Sequence, residues 1–122
     1  MDDLLKIAKE IQARIGEISD IRSVVRERGQ FKANAKIVYE KKLAVVMVSL
    51  KQGATFYIDQ VKVEGGNVPV SNIRDIARGI CYQERLDMEV TEADYKSAIV
   101  NISAVESQLN AWQSLLRYID DA

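Results

Sequence analysis

Histidine is absent from this chain. Without an imidazole there is no Ser-His or Cys-His nucleophile pair, no histidine metal ligand and no side chain that titrates unperturbed near neutral pH. Cysteine occurs once, at Cys81. One thiol cannot close an intrachain disulfide or build a zinc site of the usual kinds, and its apolar neighbours mark it as a core residue of a protein kept in a reducing compartment. An excess of charge is missing too. Seventeen basic and eighteen acidic side chains leave a net charge of −1, too little for a general nucleic-acid scaffold or a membrane-surface protein. No stretch approaches the roughly eighteen apolar residues of a spanning helix, and Met1-Asp2-Asp3 lacks the positive start of a signal peptide. The expected location is therefore the cytoplasm, with no membrane partner. The glycines at 65 and 66 have neither a third glycine at the dinucleotide spacing nor the lysine and serine of a phosphate loop, so they read as a turn. The carboxylates lack calcium-loop spacing. A carboxylate-only enzyme using Glu84, Asp87 or Glu89 stays formally open, but those side chains more simply solvate a connection between helices. No catalytic residue, metal or cofactor is assigned, and the expectation is a protein that is not an enzyme.

What the sequence does contain is helical periodicity. From Tyr95 onward the apolar pairs Tyr95/Ala98, Ile102/Val105, Leu109/Trp112 and Leu116/Ile119 recur every seven residues, the pattern of a helix buried along one seam against another helix. The partner can come from the same chain or from a second copy. A second seam, Leu4, Ile11, Ile18 and Val25 with Ile7 and Ile21 beside it, predicts a first helix over about 2–28, with Asp2 and Asp3 suiting its positive end and Gly29 a plausible stop. Residues 33–50 are read as helix, although their β-branched content permits a strand, with Lys51-Gln52-Gly53 as a glycine cap. Thr55–Ile58 and Val61–Val63 have strand composition. Ser71 is a plausible cap for a helix running to about Arg85, and Thr91 opens the last one. The expected fold is mainly α: one domain, 1–122, of four helices with a short central β-hairpin or strand. Two seams in 122 residues predict a homo-oligomer whose coiled-coil seam is Tyr95, Ile102, Val105, Leu109, Trp112, Leu116 and Ile119.

Two surfaces could bind a ligand. Between positions 22 and 42 stand seven basic residues, Arg22, Arg26, Arg28, Lys32, Lys36, Lys41 and Lys42, against Glu27 and Glu40. Such a corner can contact phosphate oxygens, with Phe31 available to stack on a base, or it can simply be a solvated helix–turn–helix surface. The polar side of the last helix is the other surface. From Ser97 to Leu116 its only ionisable group is Glu106, and Ser103, Ser107, Asn110 and Ser114 follow a 4-3-4 spacing. That small, hydrogen-bonding stripe suits a closely packed second helix or a polar, nucleotide-like ligand. The candidate ligand-binding set is thus Arg22, Arg26, Arg28, Lys32, Ser103, Ser107 and Asn110.

The order of features resembles a family of small helical accessory proteins of tailed phages and prophages of Gram-positive bacteria, often encoded near single-strand annealing recombinases. The matching parts are the amphipathic first helix, Tyr39-Glu40-Lys41-Lys42 leading to Leu50-Lys51-Gln52-Gly53, the run Ile76-Ala77-Arg78-Gly79-Ile80-Cys81, and Ala93-Asp94-Tyr95-Lys96-Ser97-Ala98 followed by Gln108-Leu109-Asn110-Ala111-Trp112-Gln113-Ser114. The resemblance implies a non-enzymatic phage protein that acts by binding in the host cytoplasm, and it transfers no site residues. Three roles follow from it. One is anti-defence, by binding a host protein or by nucleotide binding that sequesters a phosphate-bearing signal. Another is an accessory of phage recombination or replication that touches single-stranded nucleic acid or its enzymes. The third is a purely structural helical oligomer.

Overall fold

A computed structural model describes residues 2–121. In it the chain folds into three α-helices and one hairpin: α1 (Asp2–Lys51), β1 (Thr55–Ile58), β2 (Val61–Glu64), α2 (Ile73–Ile80) and α3 (Tyr82–Asp121), with single 3-10 turns at Gly65–Asn67 and Val70–Asn72. The expected four helices are corrected to three. Gly29 does not stop the first helix, which runs on through 33–50, the helical alternative for that segment. A glycine inside a helix costs only about 1 kcal/mol relative to alanine. The Tyr95 ring also lies over it, 3.4 Å from where a Cβ would stand. Nor does Thr91 open the last helix. Its hydroxyl donates back to the carbonyls of Asp87 (2.9 Å) and Met88 (3.0 Å), satisfying within the helix the group that would otherwise cap one. The helix expected to reach Arg85 instead ends at Ile80, because Cys81 leaves helical geometry (φ −90, ψ 24). Ser71 lies in a 3-10 turn, and Asn72 precedes α2 without a side-chain cap bond.

The glycine cap at 53 is present. Gly53 adopts φ +88, its N–H donates to Leu50 O (3.0 Å) and the Ala54 N–H to Ser49 O (2.9 Å), the paired bonds that close a helix C-terminus. The chain then reverses into the hairpin, with Phe56 opposite Val63 and Ile58 opposite Val61 across a two-residue turn in which Asp59 takes φ 53.

The chain divides into two compact units. One, Phe31–Glu92, holds the tightest core: Tyr39, Val46 and Leu50 from α1, Ile73 and Ala77 from α2, and Cys81, with Leu43, Met47, Phe56, Val63, Val68, Ile76, Ile80 and Met88 packed around them. Gly65 lets the hairpin return against the end of α1. A Cβ there would run into Leu50 O and stand 2.8 Å from Ala54 O, so this glycine serves a close backbone approach, as the turn reading expects.

The other unit joins the chain up to Gln30 with the chain from Ala93 onward. Here the two seams meet. Arg28 pairs with Asp94 (3.2 Å), Arg14 donates to Gln108 (3.0 Å), Ile18 shares a hollow with Leu109, and Ile7 shares one with Trp112 and Ile119. Rising numbers on α1 against falling numbers on α3 make the pair antiparallel. The partner of the C-terminal heptads is therefore the chain's own first helix. Tyr95, Ile102, Leu109, Trp112, Leu116 and Ile119 are half-buried and Val105 is buried, so the residues assigned to an oligomer seam lie in an intrachain one.

Candidate functional site

The basic stretch 22–42 is continuous helix within α1, with no helix–turn–helix break in it. Arg22 and Arg26 are exposed on one side of the helix. Arg28, about 200° round from Arg26 at 100° per residue, faces the seam and binds the Asp94 carboxylate. Lys32 is half-buried, has an interaction of its own and belongs to the other unit. Lys42 donates to Glu84 at 2.6 Å, while Lys36 and Lys41 point to solvent. Of the three candidate arginines within one unit, Arg28 is thus turned away from Arg22 and Arg26. Phe31 is 49% exposed. Ser103, Ser107 and Asn110 are likewise exposed, on the side of α3 turned away from the seam.

Where the basic and the small polar residues do meet is a groove of about 560 Å³ lined by Val24, Arg28, Asp94, Ser97, Val100 and Asn101, which involves one residue of the candidate set. Its arginine is already paired.

The strongest electrostatic contact in the Phe31–Glu92 unit is Lys42–Glu84. The hydrogen bond from the Lys42 ammonium holds the Glu84 carboxyl below its ordinary range, and the same bond raises the lysine. Cys81 lies behind this pair with no solvent exposure. Burial pushes its thiol pKa up, partly offset by Lys42, so it is a packing residue and a poor nucleophile. The other carboxylates considered for catalysis are engaged locally, Asp87 by Gln83 (3.2 Å) and Glu89 by Arg85 (3.3 Å). Among the described residues no three acidic or cysteine side chains gather closely enough to hold a metal ion. No helix among them is long and apolar enough to cross a membrane.

Two features of the Phe31–Glu92 unit escaped the sequence reading. Phe31, Val38 and Val45, with Val48 one turn on, form an exposed apolar stripe at seven-residue spacing on α1, each about half accessible. The spacing was visible, but the same segment supplies the core face, and its exposed and buried apolar residues are indistinguishable without the fold. The second is a groove of about 570 Å³ across the α2–α3 junction, lined by Asp75, Arg78, Gly79, Tyr82, Arg85, Leu86 and Glu89. Arg78, Tyr82, Arg85 and Glu89 lie at helical spacing, a signal hidden by placing the helix end at Arg85. Set against protein-family models, curated proteins and solved structures, the chain matches none.

Proposed function

We propose that this protein is a non-enzymatic phage or prophage accessory that antagonises a host defence by binding a host protein, acting as a homo-oligomer in the host cytoplasm. The observation that carries the binding reading is the exposed apolar surface of the Phe31–Glu92 unit. Phe31, Val38, Val45 and Val48 on α1, and Tyr82, Leu86 and Val90 on α3, are 49–56% accessible in helical rows, the arrangement by which one helix face recognises another. The absence of histidine, together with carboxylates engaged by neighbouring side chains, supports a role without turnover. The phage assignment rests on the resemblance described above.

Sequestration of a nucleotide signal is the second reading, favoured by the groove in which Arg28 lies near Ser97 and Asn101. A phosphate there must displace Asp94, which holds the arginine at 3.2 Å. That competition ranks it below protein binding.

The test pairs two variants in phage-infected cells carrying an active defence. Val38→Glu with Val45→Glu is expected to abolish protection of the phage while preserving the far-UV spectrum. Arg22→Gln with Arg26→Gln should leave protection intact. Protein purified from the same cells and heat-denatured should release no nucleotide detectable by mass spectrometry. Stoichiometric release of a nucleotide, or full protection by the glutamate double variant, overturns the reading.

A further inference from the structure

We infer that the groove across the α2–α3 junction is a binding site for a protein segment that presents an aliphatic side chain next to a carboxylate. This deepens the reading above, on which it rests for the partner's being a protein. Its apolar floor is the Tyr82 ring and Leu86, 53% and 50% exposed. An aliphatic group laid there removes apolar surface from water on both partners.

The charged rim decides what stands beside that group. Arg85 is neutralised by Glu89 at 3.3 Å. Arg78 is half-buried and makes no hydrogen bond or ion pair among the described residues. A guanidinium with no counter-ion of its own at the edge of an apolar floor is open to a carboxylate in the bidentate geometry arginine prefers. Asp75, one turn earlier and without a hydrogen bond or ion pair among the described residues, offers an acceptor for a backbone N–H of the same segment.

The charge balance of the rim also argues against a phosphate. With Arg85 and Glu89 paired to each other, Asp75 and Arg78 are the charges left on the rim, enough to meet one carboxylate through Arg78 but leaving the second charge of a phosphate dianion uncompensated beside Asp75. Tyrosine and arginine around an apolar centre are the residues that dominate binding energy at protein interfaces.

The probe is the capped dipeptide N-acetyl-leucyl-glutamate amide, titrated into the uniformly ¹⁵N-labelled full-length protein. Saturable amide shifts are expected at Gly79, Tyr82, Arg85 and Leu86, with none at Arg22 or Arg26. The glutamine analogue of the dipeptide, which keeps the leucine and loses the charge, should bind about tenfold more weakly, the loss expected for one charge-assisted hydrogen bond. Arg78→Gln should erase that preference, and its spectrum reports in the same experiment whether the fold is intact. Equal binding of the two dipeptides, no saturable shift at the groove, or stronger shifts there from inorganic phosphate or adenosine monophosphate overturns the inference. The readout is independent of phage and host. Dipeptide binding at the groove therefore stands even if the Val38/Val45 variant retains protection, and the reverse result isolates a failure of the groove.

Discussion

At the scale of single residues, Gly65 and the Lys42–Glu84 pair carry the clearest expectations. Gly65→Ala places a methyl against Leu50 O and Ala54 O, backbone atoms that cannot rotate away. It should destabilise the protein by about 1–3 kcal/mol, as overpacking does, read as a lower urea midpoint at unchanged slope. Lys42 and Glu84 are 45% and 20% exposed, so solvent screening limits their contact to about 0.5–1 kcal/mol. Glu84 is held below its ordinary 4.5, so its share is present above that value and is lost as the pH falls through the lowered one. Lys42 is raised above 10.5, so its share is full below 10.5 and is lost as the pH climbs through the raised value. The stability difference between wild type and Lys42→Met should therefore be flat from about pH 5 to 10 and shrink outside that window in urea titrations. A difference that peaks at neutral pH and falls away within the window would exclude the pair as its source.

At the scale of elements, the antiparallel seam is the informative object. The first helix alternates apolar a positions (Leu4, Ile11, Ile18, Val25) with d positions that include Arg14 and Arg28. Arg14 is met by Glu10 (3.0 Å), Glu17 (3.7 Å) and Gln108 (3.0 Å), yet its Nε is buried without a partner. A polar seam residue of this kind lowers stability and fixes register. Arg14→Leu should accordingly raise the melting midpoint while letting the seam pair in more than one way, seen as doubled amide resonances for seam residues. Leu109→Asp acts in the opposite direction. It sets a charge against Ile15 and Ile18 and should destabilise the helix pair by roughly 2–3 kcal/mol. Hydrogen exchange should then rise at Ile18 and Val105 while Leu50 and Ala77, in the other unit, stay protected. Uniform loss of protection would mean that the two units unfold together.

At the scale of the whole molecule, the prediction concerns association. The heptads that motivated a homo-oligomer are satisfied by the chain's own first helix, yet Leu5, Ile15, Val100, Leu115 and Tyr118 remain 41–74% exposed on that unit, and the α1 stripe remains exposed on the other. A second copy covering these side chains is the expected outcome, with light scattering giving a mass above the 13.7 kDa of one chain. A single-chain mass at micromolar concentration removes the oligomer and leaves the apolar faces to a different partner.

Periodicity, composition and turn chemistry were sufficient for the mainly helical character, a short β element, the cap at Gly53 and the core role of Cys81, but not for the number or the ends of the helices, because only the former depend on interactions a few residues apart. Both seams were legible for the same reason: a seven-residue repeat fixes which face is buried without saying against what. Tertiary contact decided the rest. The Tyr95 ring over Gly29 accompanies a helix that continues where a lone glycine suggested a stop, and Thr91 sits inside α3 because its hydroxyl bonds the preceding turn. Arg28 is drawn to Asp94, away from Arg22 and Arg26, while Arg78, Tyr82, Arg85 and Glu89 become one groove through the break at Cys81. Sequence spacing sets the faces of a helix. Which face meets another is settled by contacts between residues sixty or ninety positions apart, such as Arg28 with Asp94 and Arg14 with Gln108, and a local pattern contains no record of them.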